Sequence, residues 1–595
     1  MAAYNRSMSI PLRELQFDLF DVLGLQHMWP EGPELAPAVL EAAAHIAANS
    51  FAPQAAKADI EEPQWVDGRV VLPAETAAAQ RALAEAGFLG TAFPPEYGGS
   101  GLPFTLSQAC GSIFAAANVG FYSYSLLTQG AANLLLHFAS DTQRAAWVPA
   151  MLAGRVFGTM CLSEPHAGSS LADISTLATR RDDGRYLLRG RKMWISGGEH
   201  ELGENIVHLV LARTPDAPPG VKGISLFLVP RFTDSAARRS NGVSLVGLNH
   251  KMGWRAHVNT ALAFGDAEPC VGELIGELHQ GLNYMFLMMN EARVTVGLSA
   301  AAIGFAGYQY SLAYARERRQ GRSLAARSSV AQIPIVEHAD VKRMLLAQKA
   351  WVEGALDLVL YCARLVDELR LPTQATSVDA GLLLDFLTPI AKSWPAEYAL
   401  EANKLAIQVA GGAGYTRDLP LERLYRDNRL NHIHEGAYGI HGLDLLGRKV
   451  AMQEGAAFVL WQDRLQQSER AAESFVDLRT EADGLSAARR KAVQVTAELV
   501  ATLKSGQAEL ALANATLYLD AIGIITVAWR WLERARTAAT RLSTLPVEHA
   551  DHEFYRGKLA ACRYFYRYEL PRAMNALEFL ATLDDTLLRT DSREL

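Results

Sequence analysis

Between Gly158 and Gln280 the chain changes its hydrophobic rhythm, and that change limits its architecture more than any other feature. Upstream, from residue 36 to about 155, alanine-rich runs follow a helical pattern broken by Pro53, Pro73 and the loop FPPEYGGSG at 93–101. Inside the interval, apolar residues fall in short runs at 186–188, 207–212, 224–229 and 260–264. Turn residues separate them, including Asp183-Gly184, a pair that tolerates the positive φ of a tight hairpin. Downstream, Val296, Ala300, Ile303, Gly307, Tyr310 and Tyr314 recur at four- and three-residue spacing, as on the buried stripe of a bundle helix. Further long helices are predicted over 341–369 and 382–410. The expected fold is mainly α with a β middle domain. A lead-in arm (1–35, with a short helix around 12–23) and a helical domain (36–158) precede a small β-barrel or sandwich (159–279). A helical bundle (280–454) and a further helical domain (455–595) follow. A length of 595 residues is too great for one core. Asp141 and Thr142 are predicted to cap a helix, and breaks are predicted near Gly506, Gly523 and 545–549.

Net charge, -7 at neutral pH, argues against broad affinity for nucleic acid and leaves open only a local basic patch. The five cysteines (Cys110, Cys161, Cys270, Cys362 and Cys562) are scattered, with no CxxC pair, as expected of reduced thiols in a cytoplasmic protein. No basic segment followed by an apolar run opens the chain, and no stretch approaches twenty uninterrupted apolar residues. The expected partners therefore include neither nucleic acid nor a spanned membrane.

Chemistry concentrates in residues 408–450, QVAGGAGYTRDLPLERLYRDNRLNHIHEGAYGIHGLDLLGRKV. A helix breaks at Gly411, Gly412 and Gly414; a short helix carries Leu421, Leu424 and Tyr425; then His434-Glu435-Gly436 turns into an apolar helix near Tyr438. Glu435 thus precedes a helix N-terminus, whose dipole favours the anion, while apolar enclosure pushes its pKa the other way. A carboxylate poised between these effects can serve as a base near neutral pH or simply as a capping acid. His432, His434 and His441 lack the i, i+4 pairing of a zinc site, so no metal is expected. GGAG at 411–414 is no dinucleotide fingerprint, because no strand precedes it.

This stretch closely resembles the acyl-CoA dehydrogenase family, in which the turn presents a glutamate to the α-carbon of an acyl thioester. Other segments share the likeness. MCLSEPHAGSS (160–170) resembles the family's (S/T)EPxAGSD signature, which implies FAD contacts at Met160, Leu162, Ser163, Gly168 and Ser169, with Ser169 also near the thioester. KMWIS (192–196) resembles KxWI(S/T) and implies that Trp194 packs on the flavin ring and Ser196 bonds at its N5. YARERRQGR (314–322) resembles YAxxRxxFG, implying that Arg318 reaches the FAD pyrophosphate across a subunit boundary; Gln408, Gly411 and Gly412 match positions along the same diphosphate path. Ser170 and Gly321 depart from the usual Asp and Phe, and Ala437 from the usual threonine.

The likeness spans the chain and includes the long subclass with an extra C-terminal helical domain. That subclass holds 3-methylmercaptopropionyl-CoA and broad-specificity fatty acyl-CoA dehydrogenases. It implies FAD-dependent α,β-dehydrogenation of an acyl-CoA, as in fatty acid β-oxidation. Glu435 would take the α-proton, flavin N5 the β-hydride, and an electron-transferring flavoprotein the electrons, in a homodimer. Asn290, Arg293 and Gly436 would contact substrate, while Glu291 is turned about 100° from the position some members use for their base. An acyl-CoA oxidase, or a family member turned to binding, is the alternative.

Overall fold

A computed structural model describes residues 8–323, 331–370 and 374–595, with the side chains of 286–290 and 374–376 excluded. It divides into two compact units, Ala38–Ala292 and Met1–Pro37 together with Arg293–Leu595.

In the first unit the helices Phe104–Phe138 and Asp141–Leu152 lie against a sheet. The cap of the second is Ser140, one residue before the predicted Asp141-Thr142. Its hydroxyl accepts from Gln143 N–H at 3.3 Å while Gln143 Oε1 accepts from Ser140 N–H at 3.0 Å. A Ser-x-x-Gln box satisfies two orphan donors, which Asp141 in the first turn cannot do.

The strands are β1 (Gln64–Val66) and β2 (Arg69–Val71), a separate hairpin, then β3 (Val156–Cys161), β4 (Leu177–Arg180), β5 (Tyr186–Ser196), β6 (Asn205–Arg213) and β7 (Ile224–Pro230). Next come the small pair β8 (Phe232–Asp234) and β9 (Arg239–Ser240), followed by β10 (Val243–Leu248), β11 (Asn259–Phe264) and β12 (Cys270–Leu274). Pairing runs β5–β12–β7–β6–β4 and returns to β5, a closed ring with β11 and β10 added beside β5 and β3 parallel to β6. Within the ring no strand is left as an edge, and β10 and β3 lie at the margins of the sheet. Asp183-Gly184 makes the β4–β5 hairpin, and Tyr186, Val210, Phe227 and Cys270 fill the interior. The other face of β6 packs Val207, Leu209 and Leu211 against Leu134, Leu135, Val148 and Met151 of the two helices. A strand covered on both faces reads as the continuous apolar run NIVHLVLA.

The second unit is helical. Gly281–Glu317 (which starts in the first unit), Ala339–Leu369, Gln374–Ala410, Leu421–Arg429 and Tyr438–Asp444 form the bundle. Ala456–Ala472, Arg479–Lys504, Ala515–Leu542, His552–Tyr564 and Leu570–Leu580 follow. Ala515–Leu542 is, among the described residues, the helix long and apolar enough to cross a membrane, yet it is a core helix, mostly buried. It also contains Gly523, where a break was predicted. The helix continues through it, and a Cβ there would lie 2.7 Å from Trp394 Cδ1, so the glycine marks a close packing of elements rather than a break. Trp531 Nε1 in turn donates to the Ala350 carbonyl at 2.9 Å, so the C-terminal helices share one core with the bundle.

Candidate active site

Glu435 and Gly436 occupy the left-handed region in succession, at φ +53° and +99°. Only glycine suits the second position: a Cβ there would lie 2.7 Å from His441 Nε2. Two side chains hold the carbonyls of this turn. His441 Nε2 donates to the Glu435 carbonyl at 3.1 Å, and Lys392 Nζ donates to the Gly436 carbonyl at 2.7 Å. A carbonyl only accepts, so His441 is the Nε2–H tautomer. Burial brings its pKa down to about 3, which keeps the ring neutral.

Glu435 itself is half-buried, and no side chain caps the following helix Tyr438–Asp444, whose N-cap is Ala437. The capping role is thus not the one Glu435 plays. Burial pushes its carboxyl above the usual range, against the opposing pull of Arg293 and Lys392. Arg293 is buried in the Gly281–Glu317 helix, with Nη1 3.7 Å from Asp444 Oδ2, and Arg448 Nε holds the other Asp444 oxygen at 2.7 Å. Lys392 is fully buried mid-helix. Burial lowers its pKa to about 7 although Glu435 favours its cation. Sequence reasoning passed over Lys392; its signal was a lone lysine inside the apolar run PIAKSWP.

The three histidines diverge. His432 Nε2 lies 2.5 Å from Glu397 Oε2, His434 Nε2 lies 3.1 Å from Asn431 Oδ1, and His441 serves the turn. The side chain of Asn290 is outside the described residues. Glu291, in the first unit, accepts from Asn133 Nδ2 at 2.5 Å.

In the first unit a second constellation forms where the loop after β3 meets β5. Lys192 Nζ donates to the Leu162 carbonyl at 2.9 Å and Met193 N–H to the Ser163 carbonyl at 3.0 Å. Buried beneath is Glu164, whose carboxylate accepts from the N–H and hydroxyl groups of Ser175 and Thr176 and from Lys192 Nζ at 3.0 Å. Burial alone would raise its pKa, but Lys192 and these donors bring it down to about 2. This pair, also absent from the sequence-derived site, fixes the loop shape. The β5–β11 register shifts opposite Met193 and Trp194, and Trp194 adopts φ +65° there with 63% of its surface exposed. Such a bulge re-aims a side chain out of the sheet. Ser196 Oγ accepts from Asn259 Nδ2 at 3.1 Å. Met160 and Leu162 pack on the core beneath, and Gly168 and Ser169 are exposed.

Four family models match in chain order: acyl-CoA dehydrogenase N-terminal domain at 34–155, middle domain at 159–267 and C-terminal domain at 279–450, then acetyl-CoA dehydrogenase C-terminal like at 456–591. A 3-methylmercaptopropionyl-CoA dehydrogenase of Ruegeria pomeroyi is 33% identical, covering 97% of this chain and 98% of its own. The chain belongs to the acyl-CoA dehydrogenase family. A broad-specificity linear acyl-CoA dehydrogenase, FadE5 of Mycobacterium tuberculosis, is 30% identical over 98% of each chain. The fold is that of the family with the additional C-terminal helical region. An acyl-CoA dehydrogenase of Bacillus anthracis solved with FAD superposes at TM-score 0.74, with 19% identity over 94% of this chain and 89% of that one. ACDH-11 of Caenorhabditis elegans, solved with C11-CoA, gives 0.74 with 18% identity over 95% and 90%.

Within this acyl-CoA dehydrogenase chain, Arg318 and Gln408 stand apart from the Glu435 turn. Arg318 is exposed just beyond the end of the Gly281–Glu317 helix, 25 residues and hence about 37 Å along it from Arg293. Gln408, exposed like Gly411 and Gly412, is 16 residues or about 24 Å along its helix from Lys392.

Proposed function

We propose that this chain is an FAD-dependent acyl-CoA dehydrogenase that converts an acyl-CoA thioester to the trans-2-enoyl-CoA, with Glu435 as the base. The observation that carries this reading is the Glu435 turn, a half-buried carboxylate held above its ordinary pKa beside the buried basic groups Arg293 and Lys392. A base tuned upward toward working pH suits removal of an α-proton. That proton is too weakly acidic unless the thioester carbonyl is polarised, and the Glu435 N–H is the donor assigned to it, worth about 3–4 kcal/mol. Ser169, Asn290, Arg293 and Gly436 are assigned to substrate.

The residues present suit FAD. Trp194 projects from its bulge, Ser163 and Ser196 offer hydroxyls, and Met160 and Leu162 give an apolar floor. Nothing lies within 4 Å of where a Cβ would stand at Gly168, Gly411 or Gly412, so a ligand can approach the backbone. When bound, FAD supplies the acceptor for the β-hydride that leaves as Glu435 takes the α-proton. Arg318 and Gln408, distant from the base along their helices and exposed, suit the diphosphate end of a second copy's cofactor and so a homodimer. An electron-transferring flavoprotein is the proposed electron acceptor, and five free, buried cysteines suit a reducing cytoplasm.

The test is anaerobic titration of the flavoprotein with saturated acyl-CoAs of graded length, linear and thioether. Glu435→Gln is run beside the wild type. Bleaching of the oxidised flavin by one class, slowed at least about 100-fold in the variant, supports the reading. Bound flavin that no thioester bleaches, or a variant that bleaches as fast as wild type, overturns it.

A further inference from the structure

Lys392 is a cation that its surroundings do not ask for. It stands in the middle of Gln374–Ala410, beside Ile390, Ala391 and Trp394 as well as the buried hydroxyls of Thr388 and Ser393, and it has no exposed surface. Lysine is rarely placed so without an ionic partner. Among the described residues its ammonium bonds to the carbonyl of Gly436, the residue after the proposed base, 44 positions away in the chain. Among the described residues, Glu435 is the carboxylate whose field raises its affinity for a proton. A structural lysine would sit on a carboxylate or at a helix end; this one sits on the peptide that aims a carboxylate.

The turn needs such support. Glu435 at φ +53° is a strained position for a residue with a Cβ, and two consecutive left-handed residues persist only when their surroundings over-determine them. The clasp is two-sided. His441, neutral, holds the Glu435 carbonyl; Lys392 holds the next one. From the helix that carries Arg293, a second cation faces the same carboxylate, but Arg293 is itself drawn to Asp444. Among the described residues, His434 and His441 also adjoin Lys392, both kept neutral by burial, while Asp444, Arg448 and Asp385 act on Arg293; Lys392 forms no ion pair with another acid there.

We propose that Lys392 is a positioning residue for proton abstraction: it holds the Gly436 carbonyl, thereby aiming the Glu435 carboxylate, and sets a positive charge beside it. The proposal rests on Glu435 being the base. It implies that the charge and the hydrogen bond are separable contributions. Lys392→Met removes both, Lys392→Gln keeps a donor without the charge, and Lys392→Arg keeps the charge.

The test is an infrared titration of the holoprotein, in which Glu435→Gln identifies the Glu435 carboxyl band, combined with the pH dependence of flavin reduction. In Lys392→Met the Glu435 titration moves up by about 1–3 pH units, as expected on losing a neighbouring opposite charge, and the acid limb of the rate moves with it. Lys392→Gln shows the same shift with a faster rate than Lys392→Met, and Lys392→Arg returns the titration toward wild type. A Glu435 band that titrates identically in wild type, Lys392→Met and Lys392→Gln overturns the proposal, whatever the rates. Thermal melts screen out variants that fail to fold. Because the infrared titration uses no substrate, a wild-type flavin that no thioester bleaches sinks the dehydrogenase reading without deciding Lys392.

Discussion

Gly436 is the residue at which backbone and chemistry meet. Alanine there faces two independent penalties, a left-handed φ and a Cβ 2.7 Å from His441 Nε2. Gly436→Ala is therefore expected to cost about 1–3 kcal/mol, readable as a lowered melting temperature. It should also abolish flavin reduction by acyl-CoA while bound flavin remains, because Gly436 is not among the residues assigned to flavin. Unchanged turnover would show that the turn tolerates displacement. Glu435 carries the second expectation at this scale. A base works ionised, and burial raises this carboxyl, so the reductive rate should climb as pH rises through a value above the ordinary glutamate pKa of about 4.3. An acid limb at the ordinary value would mean that the carboxylate is solvated in the working enzyme.

At the scale of elements, the loop after β3 and the bulge in β5 are locked together by Glu164 and Lys192, both buried. Glu164→Gln leaves Lys192 without its anion and is expected to destabilise the fold by about 3–5 kcal/mol, with the double variant Glu164→Gln/Lys192→Met recovering part of the loss. The pH sign follows from the depressed carboxyl. Its contribution is complete above the ordinary carboxylate range and is lost as pH falls from there toward about 2. Chemical denaturation at pH 7 and pH 3 reads this: the stability gap between wild type and the double variant should narrow at the lower pH. A gap independent of pH would assign the loop's stability to packing alone.

Across the second unit, one buried charge cluster joins segments from both ends of the chain. Arg534 meets Glu14 at 2.5 Å and Asp18 from the N-terminal arm, and Glu353 at 3.5 Å from the bundle; Lys558 bonds Glu14 and, at 2.8 Å, Glu353. Beside them Arg530 pairs with Asp357 at 2.7 Å. The arm is thereby tied to the added C-terminal helices through ions that cannot be rehydrated without opening the core. Arg534→Met strands carboxylates in that core and should cost about 3–5 kcal/mol, seen in a thermal melt followed by circular dichroism. A melt like that of wild type would mean that water reaches the cluster. The same helices support the site. A Cβ at Gly442, in the helix after Glu435, would lie 2.7 Å from the Ala515 carbonyl, so Ala515–Leu542 forms a floor under that helix.

Sequence alone determined what depends on near neighbours. The switch from helical to β rhythm and back, the Asp183-Gly184 hairpin and the short helices on either side of Glu435 follow from periodicity and turn chemistry acting over a few residues. The Ser140 cap was legible in the same way, through Gln143 three positions on, and was misplaced by one residue because Asp141 and Thr142 are themselves good cap formers. Tertiary structure decided the rest. Gly523 reads as a helix breaker until Trp394 is found against it, since only packing reveals why a helix lacks a Cβ. Lys392 looks like a misplaced surface charge, Glu164 like one letter of a loop and His441 like one of three histidines with no pattern. Each acquires its role from a group far away in the chain and from burial that alters its charge, and neither quantity is written in local sequence.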